Sequence, residues 1–163
     1  INLVKRKEIT FGEVKLRKLL LSAALIVVSS AAAFAETIEI QMLNVNEAGD
    51  KMVFSQELIR AELGDVIKFV PTDKSHNAQS VKNALPDGQK KFKGKMNKEI
   101  EYLVTEAGLT AVVCQPHQTM GMVALIVVGN DVSNAQDILD AGVRGKGKIK
   151  IAALIEEAIA TQP

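Results

Sequence analysis

From Thr37 the chain alternates: Ile38, Ile40 and Met42 fall on one side of an extended backbone and Glu39 and Gln41 on the other, which marks a half-buried strand. Further strand-like runs follow at Met52 to Phe54, Val66 to Val70 after the turn residues Gly64-Asp65, and Ile100 to Val104. Thr110 to Cys114 after Gly108, and Met122 to Val128 before Gly129-Asn130, complete the set. Strands this short, separated by turn residues, specify a sandwich or a barrel. Asn83 to Lys98 breaks the pattern with Pro86-Asp87-Gly88 and lysines at 90, 91, 93 and 95, and reads as a solvated connection. After Asn130 the period changes. Ser133 is placed to cap a helix bearing Ala135, Ile138 and Leu139, and Ile151, Leu154, Ile155, Ala158 and Ile159 recur at helical spacing, with Gly142 to Lys150 as the joining turn. Two helices over about 133–161 are therefore expected to pack on the sheets.

The N-terminal 35 residues differ in kind. Lys15, Arg17 and Lys18 precede an apolar run from Leu19 to Val28, then Ser29, Ser30 and the small-residue end Ala33-Phe34-Ala35, the pattern of a secretory signal cleaved after Ala35. The uncharged stretch Leu19 to Ala35 has 17 residues, short of the ~20 that span a bilayer. Val14, just before the basic residues, would give a signal of ordinary length as an alternative start, since the first Met is Met42. One domain is expected over 36–163, in the periplasm and without membrane attachment after cleavage. The whole chain carries a net charge of +1; without residues 1–35, which hold six basic and two acidic residues, 14 basic face 17 acidic, a net of −3. That balance, with only Phe54, Phe69, Phe92 and Tyr102 as aromatics, excludes a nucleic-acid binder.

Export makes the single Cys114 informative, because in an oxidising compartment it has no internal disulfide partner and must be free, intermolecular or metal-bound. It opens the segment Cys114-Gln115-Pro116-His117-Gln118-Thr119-Met120-Gly121-Met122, which links two strands and puts a thiolate, an imidazole and a thioether in one loop. The other histidine, His76, follows the strand ending near Val70. Two His, one Cys and a weak Met are the ligand set of a blue copper centre. Thiolate and two imidazoles suit both copper oxidation states, so reduction requires little rearrangement, provided a stiff frame fixes the loops that carry them.

The order His76-Asn77, then Cys114-x-x-His117-x-x-x-x-Met122, then two helices, resembles the pseudoazurins of the cupredoxin family from about Glu36 onward. Met42-Leu43-Asn44, Asp73-Lys74-x-His76-Asn77, Lys91-Phe92-Lys93 and Pro116-His117-x-x-Met120-Gly121-Met122-x-Ala124-Leu125-Ile126 carry the likeness. The resemblance implies an all-β Greek-key sandwich with two C-terminal α-helices, holding one copper through His76, Cys114, His117 and Met122. Met120 would instead give the shorter spacing of the amicyanins, which lack the tail. It implies that Asn77 ties the two ligand loops together and offers its backbone N–H to the Cys114 sulfur, and that Pro116 withholds a competing donor. It implies an electron port at the edge of His117, in an apolar patch of Pro116, Met120 and Gly121 ringed by lysines. Lys74 and Lys93 match ring positions, and Lys82, Lys90, Lys91 and Lys95 lie nearby in sequence. Val113, Val45 or Asn46, and Gln118 stand where the family pattern has two lysines and an aromatic, so a less basic docking face is expected. The implied protein is a monomeric electron carrier and not an enzyme. It forms transient complexes with redox proteins, accepting from a cytochrome or similar donor and donating to a copper nitrite reductase.

Taken singly, Cys114 suits a small buried hydrophobe, the histidines suit core or surface positions and Met122 suits strand filling. Their joint order and loop context suits only a metal site. A Cys-His nucleophilic pair would need an oxyanion hole and an orienting carboxylate that no motif supplies. C-type haem needs a second Cys, and structural zinc is disfavoured by the thioether. The rival from another class is a periplasmic cupredoxin that stores or delivers copper.

Overall fold

A computed structural model describes residues 35–162; the expected signal segment and its cleavage point lie outside them. Eight strands form two four-stranded sheets. The first has the order β2 (Lys51–Phe54), β1 (Thr37–Val45), β4 (Val66–Pro71), β6 (Ile100–Leu103). The second has the order β3 (Leu58–Ala61), β8 (Val123–Val128), β7 (Gly108–Val113), β5 (Gln79–Ser80). Both are mixed: β1 runs parallel to β4 and β3 parallel to β8, while the remaining pairs are antiparallel. Among the described residues no helix is long and apolar enough to cross a membrane.

Alternation along each strand decides what is buried. Ile40, Met42, Ile67, Phe69 and Tyr102 of the first sheet meet Ile59, Val112, Ala124 and Ile126 of the second in the sandwich core. The opposite face of the second sheet is apolar as well, through Leu109, Ala111, Val113, Val123, Leu125 and Val127. A sheet apolar on both faces needs a second cover, and the helical tail supplies it. Helix α1 (Ala135–Asp140) contributes Ile138, and α2 (Lys146–Ala160) contributes Ile151, Leu154, Ile155 and Ala158 to this second core. Each large side chain buried there stabilises the docking by roughly 1.5–3 kcal/mol.

The tail departs from its sequence reading in two places. Asn134, not Ser133, occupies the position before α1, and its side chain is committed to β7, accepting from the Leu109 N–H at 3.0 Å and donating to the Leu109 carbonyl at 2.8 Å. The joining turn ends at Gly145, so Lys146 to Lys150, expected in the turn, are the first residues of α2. At its other end α2 is held by Arg60 of β3, whose guanidinium donates to the carbonyls of Ala158 and Thr161 at 3.3 and 3.1 Å.

Candidate metal centre

The β7–β8 register brings two sulfur atoms to one place. Val113 pairs with Val123, and the Cys114 N–H donates to the Met122 carbonyl at 3.0 Å, so Cys114 and Met122 oppose each other one step beyond the paired strands. Alternation turns both inward with Val112 and Ala124, and both are wholly buried in the sandwich core. Met120 sits instead in a 3-10 turn over Gln118–Met120 and is half exposed.

Three donor atoms converge beside this pair. Cys114 Sγ lies 3.7 Å from His76 Nδ1 and 3.5 Å from His117 Nδ1, and the two Nδ1 atoms are 3.2 Å apart. The point equidistant from the corners of such a triangle is about 2.0 Å from each. Divalent metals bond imidazole nitrogen at ~2.0–2.1 Å and thiolate sulfur at ~2.3 Å, so the donors are spaced to surround an ion. Burial pushes the Cys114 thiol above its ordinary range, against the backbone N–H groups of Asn77 and His117, which favour the thiolate. A cation at the centre of the triangle supplies the missing stabilisation, since a coordinating thiol ionises outright. The donor set fits copper.

His76 is fixed from several sides. Its Nε2 stands 2.9 Å from Asn44 Oδ1 at the end of β1; that oxygen only accepts, so Nε2 carries the hydrogen and Nδ1 keeps its lone pair for the metal. Asn44 is itself held by its N–H, which donates to Asp73 Oδ2 at 2.6 Å. The His76 carbonyl accepts from the Asn97 N–H at 2.8 Å. The ring is wholly buried, and its pKa is lowered by burial first, then by the charge of His117, against an opposing pull from Asp73. Asn77 beside it accepts the Gln115 N–H at 2.9 Å and donates to the Gly94 carbonyl at 3.1 Å, so one side chain joins the His76 segment, the Cys114 loop and the lysine-rich connection.

His117 is held differently. It is partly exposed, its carbonyl accepts from the N–H groups of Met120 and Met122, and both contacts of its imidazole run through Nδ1 toward the other ligands. Among the described residues nothing bonds its Nε2, whose ring edge faces outward beside exposed Pro116 and Met120.

The surrounding surface differs from the sequence reading. Lys74 and Lys93 are exposed as expected, Lys93 on the segment bridged to Gln79. Gly121, expected in the exposed patch, is buried, because the tail lies over it: a Cβ there would stand 3.6 Å from Lys150 Cε and 3.7 Å from Lys146 Cβ. Lys146 and Arg144 are exposed beside the loop, while Lys150 is paired with Glu57 at 2.6 Å. The tail thus brings cations to a face that Val113 cannot supply, that residue being turned under the helices and 3% exposed. Sequence spacing gave no signal for these tail cations, since only the fold brings residues 144–150 to the ligand loop. Asn44 carried no assigned role for the same reason, lying 32 residues from His76.

Comparison with known proteins agrees with this geometry. The profile of the copper-binding proteins of the plastocyanin/azurin family matches residues 40–129. A pseudoazurin of Paracoccus pantotrophus is 48% identical over 125 residues, covering 77% of this chain and 83% of the relative. Among solved structures, a pseudoazurin from Sinorhizobium superposes with a TM-score of 0.71 at 35% identity, over 75% of this chain and 95% of that one. The native pseudoazurin of Hyphomicrobium denitrificans gives 0.69 at 38% identity, over 74% and 97%.

Proposed function

Because this chain belongs to the plastocyanin/azurin family of copper-binding proteins, among its pseudoazurins, we propose that it carries single electrons in the periplasm and donates them to a copper nitrite reductase. The proposed ligands are His76 Nδ1, Cys114 Sγ and His117 Nδ1, with Met122 as the weak axial fourth. The observation that carries the assignment is the triangle of three donor atoms with sides 3.2, 3.5 and 3.7 Å. Met122 is favoured over Met120 because it is buried opposite Cys114.

Copper bound there supplies one-electron chemistry by cycling between two oxidation states. The chain's own residues do the rest. Asn44 and Asn77 hold the His76 side against the sheet, so the donor atoms keep one arrangement through the cycle. Burial of Cys114 and Met122 excludes water from the sulfur side, while the outward edge of His117 gives a partner its shortest approach. Pro116 and Met120 offer that partner an apolar contact, and Lys74, Lys93, Arg144 and Lys146 surround it with positive charge that acts mainly on the association rate. Complexes of this kind are small and short-lived, which suits a monomeric carrier between a cytochrome-type donor and its acceptor.

One experiment in two stages tests the reading. Cu(II)-loaded wild type should show an intense blue thiolate-to-copper band that Cys114→Ser loses; a colourless wild type overturns the carrier. The reduced protein mixed with a copper nitrite reductase should then re-oxidise at a rate that falls as salt rises. Re-oxidation by other acceptors but not by this one would remove the nitrite reductase while leaving the carrier.

A further inference from the structure

The start of α2 is built against the ordinary rules for a helix. Its N-cap is Gly145, at φ 59° and ψ −138°, with no capping side chain; its first turn holds no acid, and Lys146 and Lys148 stand where the helix dipole disfavours cations. Gly147 adds a second poor helix former one residue in. Local rules broken together point to a constraint from elsewhere.

That constraint is the metal-ligand loop. A Cβ on Gly147 would lie 2.4 Å from the Gln118 carbonyl oxygen, 2.9 Å from Val123 Cγ1 and 3.1 Å from Val143 Cγ1. One on Gly145 would lie 2.7 Å from the Thr119 carbonyl oxygen and 2.9 Å from its Cα. Only glycine lets this helix turn come so close to the peptides that directly follow His117. His117 needs such support more than His76 does, because its ring has no anchoring bond on Nε2 among the described residues. We infer that Gly145 and Gly147 are positioning residues. Through them the first turn of α2 clamps the 3-10 turn of the ligand loop and so sets the orientation of His117. The clamp itself is a property of the chain; its effect on the metal rests on the copper reading above.

Native-state amide hydrogen exchange on the metal-free full chain reads the clamp directly. In wild type the amides of Met120, Gly121 and Met122, all hydrogen-bonded within the loop, should open together with those of α2 and with the same denaturant dependence. A loop that exchanges independently of α2 overturns the inference, and this arm needs no variant to fold. Gly147→Ala should protect α2 better by propensity alone. The clamp predicts the reverse: loop amides exchanging about tenfold faster, the low end of what overpacking by a methyl does, while β4 and β6 keep their rates. The copper-loaded variant should also show a moved thiolate-to-copper band and potential, which Gly142→Ala, with nothing within 4 Å of its added methyl, should not. Unchanged exchange in Gly147→Ala, or faster exchange with an unmoved band, overturns the positioning role. A wild type without the blue band would overturn the copper reading alone and leave the exchange result to decide the clamp.

Discussion

The two histidines that converge on Cys114 are held by opposite means. His76 is wholly buried, its ring bonded to Asn44, its carbonyl to Asn97 and its neighbour Asn77 to both Gln115 and Gly94, so hydrogen bonds from four other segments define it. His117 is partly exposed, its backbone bonds close within its own loop, and close packing on α2 takes the place of cross-links. The difference follows from the task. A ligand that exchanges electrons across its ring edge must show that edge to a partner, and an edge tied by a protein hydrogen bond cannot be shown. Rigidity is therefore supplied by bonds where the ligand is hidden and by packing behind the backbone where it is open.

The largest effect that tests this contrast comes from deleting each ring in turn. His117→Gly should leave a gap reached from solvent, and added imidazole should restore the blue band; His76→Gly should leave a closed cavity that imidazole does not enter. Equal rescue of both would mean that the burial difference does not govern access. A smaller effect is expected from Asn44→Ala, which removes the bond that fixes the His76 tautomer. Loss of such a partner typically costs 10–100-fold in metal affinity, measurable by competition with a chelator. Affinity within twofold of wild type would show that the backbone bond to Asn97 and the Asn77 network suffice without it.

Much of this arrangement was legible before any coordinates. The strands begun at Thr37, Met52, Val66, Ile100, Thr110 and Met122 announce themselves because one or both faces are apolar, and the Cys114–Met122 segment carries its chemistry in consecutive residues. Leu58–Ala61 and Gln79–Ser80 do not, being four and two residues long and defined by what they pair with. Gly145 and Gly147 read as turn residues because glycine signals a break, whereas here it permits a close approach that only the partner loop reveals. The same long-range contact buries Gly121 beneath Lys146 and Lys150, which an exposed-patch reading of Pro116 to Gly121 could not foresee.

The smallest expected effect is a pH dependence confined to the buried side. In the metal-free protein the His76 pKa is lowered, mainly by burial, so below the ordinary imidazole value of 6.5 the unfolded chain binds a proton that the folded chain refuses. Stability should then rise with pH through the window between the lowered pKa and 6.5, and be lost as pH falls through it. The slope from one such group cannot exceed ~1.4 kcal/mol per pH unit. Urea unfolding of the metal-free protein at pH 5.5 and 7.5, beside His76→Gln, isolates the contribution, since the carboxylates shift both proteins alike. A variant as steep as wild type would assign the slope elsewhere, and His76 would then be a ligand whose burial is relieved by local opening before it protonates.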